Sequence, residues 1–318
     1  MVEVMDEERT KVIGHLRGPD RYVSSKYHYD ERGSKLFEEI TELEEYYLTR
    51  TERAMLEDLM PALISELRPA TLVELGAGSA EKSRIILSAM IAARGHAVFV
   101  PIDVSGDFLQ GTAEALRGEY DSLDVHPLVA DIVQAFALDE ALPHPRWVAL
   151  LGSTLGNFDT PHAVELLKHV SSLMSVEDRF LLGVDLCAGP EKSVGRVEAA
   201  YNDARGITAQ FSLNILNVLN HSFGSDFDLD GFRHRSEYNQ ELRRIETSLV
   251  SLREQTVHFP DEEPIFIAEG EAIRSEISCK YDRSTVEHLF SDAGLEVDRW
   301  MTDADGFYAL VLGRLSVS

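Results

Sequence analysis

From residue 71 the chain alternates short apolar runs with stretches of helical period. TLVEL leads into a helical stretch from Glu81 to Ala93 and AVFVPI into a helix from Asp107 to Tyr120; VHPLVA, WVALL, a helix from Pro161 to Met174 and FLLGV follow. A continuous apolar run of four to seven residues suits a strand buried on both faces, and helices between such runs supply the crossovers of a parallel sheet. The pattern predicts a doubly wound α/β domain. No repeat of fixed period and no low-complexity tract interrupts it. The first twenty residues are the one stretch expected to lie outside the packed chain.

The character changes after Cys187-Ala188-Gly189-Pro190. Two helical stretches, about Ser193 to Asp203 and Thr208 to Leu219, lead into DFDLDGFRHRSEYN and RRIETSLVSL, whose alternation predicts antiparallel strands. The chain then returns to a helix, Ser284 to Ala293, and two apolar strands, DRWMTD and FYALVLGR, able to close the edge of the first sheet. The expected organisation is one domain from residues 1–50, 70–190 and 281–318. Into it a smaller α+β domain, 191–280, is inserted, and 51–69 can pack on that insertion. A cleft between two domains is a usual place for a ligand.

Composition narrows the function classes. With 44% hydrophobic residues in 318, the chain can bury a substantial core. Only 30 Lys+Arg stand against 55 Asp+Glu, a formal charge of −25, and no basic run forms a phosphate-binding stripe. Nucleic acid is therefore not the expected partner. The N-terminus lacks the basic start and apolar stretch of a secretory signal, and no run is long enough to span a bilayer, so no membrane association is expected and the expected location is cytoplasmic. Cys187 and Cys279 are too few for a disulfide framework and read as free thiols. The eleven histidines form no metal-binding spacing, and no metal is expected.

Chemistry enters at LVELGAGS, residues 72–79. A strand ending in Glu74-Leu75-Gly76-Ala77-Gly78 and running into a helix lets the backbone turn tightly and approach a ligand. Asp103, at the end of the next strand, is placed to accept from a ribose diol. Asp131, followed by Ile132, ends the next apolar run, where an adenine amine could be bound, although an Asp after a strand often only caps a helix. A dinucleotide site would carry a third glycine in G-x-G-x-x-G, and here that position is Glu81. Carboxylates on both sides of the loop suit S-adenosylmethionine, a cationic ligand without a pyrophosphate.

The stretches KYHYDERGSKLFEEITELEEYYLTRTE (26–52), LVELGAGSAEKSR (72–84), LLGSTLGNF (150–158), AAYND (199–203), DFDLDGFRH (226–234) and SEISCKY (275–281) together resemble the histidine-specific N-alpha-methyltransferase family of ergothioneine biosynthesis. The likeness runs from about residue 20 to 315. It implies a Rossmann-like, doubly wound S-adenosylmethionine-dependent methyltransferase domain with a substrate domain inserted. It also implies the formation of N,N,N-trimethylhistidine (hercynine) from L-histidine and three molecules of S-adenosylmethionine. The cofactor contacts carried over by the resemblance are Tyr29, Gly76, Lys82, Asp103, Asp131 and Ile132. Those of the amino-acid pocket are Phe37, Tyr46, Asn157, Tyr201, Glu276 and Ser278, with Tyr29, Gly152 and Thr154 at the reacting end. Asn157 and Tyr201 would hold the carboxylate; Glu276, Ser278 and Tyr46 would recognise the imidazole. Without that joint match, the aromatics would read as core residues, Asn157 as a turn residue, Glu276 as a solvent-facing residue of an edge strand and His28 as a surface or packing histidine.

Three departures accompany the likeness. Thr247 stands in RRIETSL where the family pattern has methionine, which enlarges or repolarises a wall of the pocket; Leu48 replaces a more frequent proline, and the third loop glycine is absent. A methyltransferase of the same fold acting on another amine, such as a tryptophan-like amino acid, and a non-catalytic binding protein remain alternatives. A nucleotide-dependent oxidoreductase is disfavoured by the missing glycine. The resemblance and the acidic surface favour a monomer.

Overall fold

The computed structural model describes residues 2–316 and divides into two compact units. One comprises Leu48–Cys187 and Lys280–Ser318, the other Met1–Tyr47 and Ala188–Cys279.

The first of these is built on an eight-stranded sheet. Its order is Leu295–Thr302, Tyr308–Leu315, Arg179–Asp185, Arg146–Leu150, Thr71–Leu75, Ala97–Asp103 and Leu123–Val125, with Leu128–Val129 also paired to Ala97–Asp103. The strands from residue 71 to 185 pair in parallel; the last hairpin adds Tyr308–Leu315 antiparallel to Arg179–Asp185. Every residue of Thr71–Leu75 and Arg146–Leu150 is buried, as expected for a strand covered on both faces. The helices Glu81–Arg94, Gly106–Glu119, Thr160–Ser172 and Arg283–Asp292 fall within two residues of the expected stretches. VHPLVA, expected as one strand, is two pieces, because Pro127 has no N–H to give to a ladder.

Residues 51–69 belong to this unit, not to the insertion. They lie in the helix Tyr47–Leu67, whose Glu52, Leu56, Met60 and Ile64, four residues apart, are fully buried in one stripe.

The second unit packs the helix Ile207–Phe223 against a three-stranded antiparallel sheet of order Ala272–Cys279, Arg244–Ser251, Phe232–Asn239. Residues 1–47 cluster with it and not with the parallel sheet, which corrects the expected boundary at its N-terminal end. The cause is apolar burial: Val12, Ile13 and Leu16 of the helix Val2–Arg17, together with Val23, share one core with Ile215, Leu219, Phe223, Leu249 and Ile273. The N-terminal stretch is therefore packed, contrary to expectation. The helix expected from Ser193 to Asp203 is confined to Val194–Ala199, and DFDLDG forms no strand but ends in a 3-10 turn, Leu229–Gly231.

Candidate functional site

In the parallel-sheet unit the strand Thr71–Leu75 ends at a tight turn. Gly76 and Gly78 take φ of +72° and +52°, and both Gly76 N–H and Ala77 N–H donate to the Ile102 carbonyl, at 2.8 and 3.0 Å. Left-handed backbone of this kind favours glycine. A Cβ added at either glycine would meet nothing within 4 Å, so open space lies over the loop.

Asp103 closes this turn. Its Oδ2 accepts from Gly78 N–H at 3.2 Å and its Oδ1 from Ser105 N–H at 3.0 Å. An ionised carboxylate offers about four acceptor positions, so both oxygens keep capacity for a diol. Asp131 uses Oδ1 to accept from Val133 N–H at 3.1 Å, which holds the loop of Asp131 and Ile132 in an Asx turn. Close to these acids in sequence, the apolar side chains of Val104, Phe108, Val129 and Val133 are exposed. Sequence reasoning did not single them out, because each reads as an ordinary apolar residue at a strand or helix end.

Lys82 lies in the first turn of Glu81–Arg94, and its Nζ is 2.6 Å from Oε2 of Glu52. Gly152 (φ +74°) and Ser153 (φ +58°) form the turn after Arg146–Leu150, and the 3-10 turn Thr154–Asn157 follows. Gly152 N–H donates to Glu52 at 2.9 Å, and a Cβ at Gly152 would stand 3.0 Å from Lys82 Nζ. Gly76, Asp103, Gly152 and Thr154 thus lie at or just past the carboxyl ends of three neighbouring strands of one sheet, with Lys82 in the helix that follows the first, and Glu52 joins Lys82 to Gly152. Thr154 Oγ1 donates to the Leu151 carbonyl at 2.7 Å, and Asn157 ends the 3-10 turn, half-buried.

Beneath the glycine loop, burial pushes the carboxyl of Glu74 up to about 7, against the hydrogen bond from Ser83 Oγ and the attraction of Lys82; the charges of Glu52 and Asp103 raise it further. Desolvation disfavours the carboxylate.

The second unit gathers the aromatic residues. Tyr29, 38% exposed, meets Phe37 and Phe211 edge-on at 5.7 and 5.5 Å between centroids; Phe37 meets Tyr46 at 6.3 Å, and Tyr46 meets Tyr201 at 6.2 Å. Four of these five rings were expected in the site. Phe211 was not, since within the helix Ile207–Phe223 its spacing reads as core. His28, 1% exposed, stacks on Phe211 at 4.6 Å and is a packing histidine.

Tyr201 links the rings to the antiparallel sheet. Its hydroxyl bonds Ser278 Oγ at 2.8 Å, and its carbonyl lies 2.9 Å from Nε2 of His234. Ser278 and Glu276 owe their direction to a bulge: Arg274 pairs with Ser248 and Glu276 with Thr247, so Ser275 is an extra residue. The pleat alternates with period two, and one inserted residue inverts everything beyond it. Glu276 and Ser278 therefore share a face with Ile273, which is buried in the core, instead of the opposite one. The plain alternation of EISCKY, with Glu276 turned to solvent, does not hold, and Glu276 is half-buried. Thr247, opposite Glu276, is fully buried and bonds Ser236 Oγ at 2.8 Å, so this wall carries a hydroxyl pair.

Among the described residues no group of three or more His, Cys, Asp or Glu could hold a metal ion, and no helix is long and apolar enough to cross a membrane.

Comparison with known proteins gives a consistent picture. The family described as "Histidine-specific methyltransferase, SAM-dependent" matches residues 8–315. The chain is 36% identical over 308 residues to a histidine N-alpha-methyltransferase of Mycolicibacterium smegmatis, covering 96% of this chain and 94% of the relative. It is 31% identical over 98% of its length to ergothioneine biosynthesis protein 1 of Neurospora crassa, of which it spans 36%. Among solved structures, an S-adenosylmethionine-dependent methyltransferase from Clostridium acetobutylicum superposes with a TM-score of 0.50 at 10% identity, covering 83% of this chain and 92% of that one, a likeness of fold.

Proposed function

The chain belongs to the S-adenosylmethionine-dependent, histidine-specific methyltransferase family, and from that premise we propose that it carries three methyl groups to the α-amino nitrogen of L-histidine, giving hercynine, the first step of ergothioneine biosynthesis. The observation that carries the substrate reading is the bulge at Ser275, which turns Glu276 and Ser278 onto one face, where the Tyr201 hydroxyl bonds Ser278. An acid and two hydroxyls suit an imidazole and a carboxylate; an indole has no second ring nitrogen to repay a desolvated acid.

The cofactor grip is assigned to Gly76, Lys82, Asp103, Asp131 and Ile132, and Tyr29 is assigned to the cofactor as well. The open space over Gly76 and Gly78 and the spare acceptor capacity of Asp103 fit an adenosyl group. When bound, S-adenosylmethionine supplies an electrophilic methyl group that needs no further activation by the protein. The protein's work is then orientation, which is worth several kcal/mol when reactants are held near attack distance, and removal of a proton from the α-ammonium.

Asn157 and Tyr201 are assigned to the substrate carboxylate, Glu276 to an imidazole N–H, with Ser278 and Tyr46 beside it and Thr247 as the wall. Two anchors at opposite ends leave the α-nitrogen as the third, fixed point. Phe37 and Tyr46 offer π faces to a head group that becomes a permanent cation. Tyr29, with its exposed hydroxyl-bearing ring, is assigned to positioning the amine, with Gly152 and Thr154 shaping the reacting end.

The test is mass spectrometry of the purified protein incubated with S-adenosylmethionine and an equimolar mixture of the twenty amino acids. Three methyl groups on histidine alone support the reading. Methylation of tryptophan or another amine would reassign the substrate and point to the Thr247–Ser236 hydroxyl pair, while no methylation would turn attention to a different substrate class or to a binding-only role.

A further inference from the structure

Glu52 closes the stretch 26–52 without a role assigned to it there, and its carboxylate is fully buried. A buried carboxylate costs several kcal/mol unless its partners compensate it. Here the compensation is complete: Lys82 Nζ lies 2.6 Å from Oε2, Gly152 N–H donates to both oxygens at 2.9 Å, and the Tyr308 hydroxyl donates to Oε1 at 2.8 Å. A long helix, the first turn of Glu81–Arg94, the turn after Arg146–Leu150 and the strand Tyr308–Leu315 thus meet at one side chain. The neighbouring strand Arg179–Asp185 makes room for it, since a Cβ at Gly183 would stand 2.0 Å from Oε1 of Glu52.

The burial of this pair is lopsided. The Glu52 side chain is 0% exposed, whereas that of Lys82 keeps 24%, and Gly152 is only half-buried. The ion pair of Lys280 and Asp185, at 2.8 Å in the same unit, is by contrast 0% exposed on both sides, as a purely structural pair would be. Glu52 lies behind two groups that themselves face accessible space. We propose that Glu52 is a positioning residue for the cofactor: it holds the Lys82 ammonium and the Gly152 amide in place from behind, so that both are ordered before the ligand arrives. This rests on the reading of Lys82 as part of the cofactor grip and of Gly152 as part of the reacting end.

The direction of the effect follows from preorganisation. Lysine is a flexible four-carbon stem with a strongly hydrated head, and without a charged anchor it gains rotamer freedom and water that binding must then remove. Glu52→Gln keeps the volume and the acceptor for Gly152 and Tyr308 and removes the charge that holds Lys82. Calorimetry with S-adenosylhomocysteine is expected to show affinity at least tenfold below wild type. The KM for S-adenosylmethionine should rise correspondingly, while the KM for histidine at saturating S-adenosylmethionine stays within twofold.

Melting temperatures with and without S-adenosylhomocysteine separate positioning from simple destabilisation, because a ligand at free concentration L stabilises by RT ln(1 + L/Kd), which depends on its affinity and not on the stability of the free protein. A lower melting temperature for the free variant with the ligand-induced rise intact, or an affinity within twofold of wild type or tighter, overturns the inference. Should the Gln variant not fold, Glu52→Asp keeps the charge on a shorter arm; intermediate affinity supports positioning, and wild-type affinity refutes it. Failure of the wild-type protein to bind S-adenosylhomocysteine would instead remove the cofactor reading itself.

Discussion

The hydroxyl of Tyr201 and the Oγ of Ser278 share a 2.8 Å hydrogen bond between side chains 77 residues apart in sequence. Tyr201 is the proposed carboxylate anchor and Ser278 is proposed to stand beside the imidazole anchor, so on that assignment the groups for the two ends of the substrate would already touch. Removing either partner should loosen the other. Tyr201→Phe and Ser278→Ala are each expected to raise the KM for histidine. The double variant should lose less than the sum of the two, by about 0.5–3 kcal/mol, the range found for residues in direct contact. Steady-state kinetics on the four proteins measures this, and strict additivity would show that the bond plays no part in substrate recognition.

Glu276 is the residue whose role depends most on backbone geometry. Glu276→Ala removes the imidazole acceptor and should lower kcat/KM for histidine by about 1–3 kcal/mol, the usual cost of losing a hydrogen bond to a charged group. Binding of S-adenosylhomocysteine, measured by calorimetry, should not change, because the assigned cofactor contacts lie on other elements. Unchanged histidine kinetics would take Glu276 out of the recognition role.

What the sequence discloses and what it hides can be followed at these same residues. The strands of the parallel sheet were legible because burial on both faces forces continuous apolar runs, and TLVEL and WVALL are buried at every position. Gly76 and Gly78 were legible because a tight turn with positive φ narrows the residues that can occupy it, and Asp103 because it is an acid that ends the neighbouring apolar strand. The aim of Glu276 was not, because the bulge at Ser275 uses no glycine and leaves no local mark; alternation alone sends the side chain to the wrong face. Glu52 and Phe211 were hidden for a related reason: each lies on a helix whose spacing is explained by packing, and only tertiary structure brings its partners. The N-terminal helix was misjudged because Val12, Ile13 and Leu16 are few and stand among charges, although they join the same core as Leu249 and Ile273.

His28 gives an acid-side prediction. Burial holds its imidazole down at about 4 against an ordinary value of 6.5; the Ser25 carbonyl, 3.0 Å from Nδ1, opposes this and the charge of His234 adds to it, while Nε2 is buried without a hydrogen-bond partner. Between pH 6.5 and 4 the unfolded chain takes up a proton that the native state refuses, so stability is lost as pH falls through that window. His28→Phe retains a ring against Phe211 and cannot titrate. Relative to the variant, the wild-type protein should lose about 2 kcal/mol between pH 7 and pH 5, at about 1.4 kcal/mol per unit, read from urea midpoints. A constant difference between the two proteins would mean that the ring takes up its proton in the fold as readily as in the unfolded chain, and a wild type that gains on the variant as pH falls would mean that the fold favours the charged ring.

Glu74 should behave in the opposite sense. Its folded value of about 7 lies above the ordinary 4.5, chiefly through burial under the glycine loop. Between those values the native state keeps a proton that the unfolded chain has released, so stability is present below pH 4.5, falls as pH rises to 7 and is level beyond. Lys82 favours the charged form while Glu52 and Asp103 oppose it, and all three are common to wild type and variant, so the difference between the two isolates Glu74. Glu74→Gln keeps an acceptor for Ser83 and cannot ionise. It should therefore gain on wild type by about 2–3 kcal/mol between pH 5 and pH 8, measured by urea unfolding at each pH. An equal offset at both pH values would mean that Glu74 is ionised in the native protein. The neutral acid would then give way to a carboxylate compensated by Ser83 and Lys82, adding a full negative charge beneath the site assigned to a cationic cofactor.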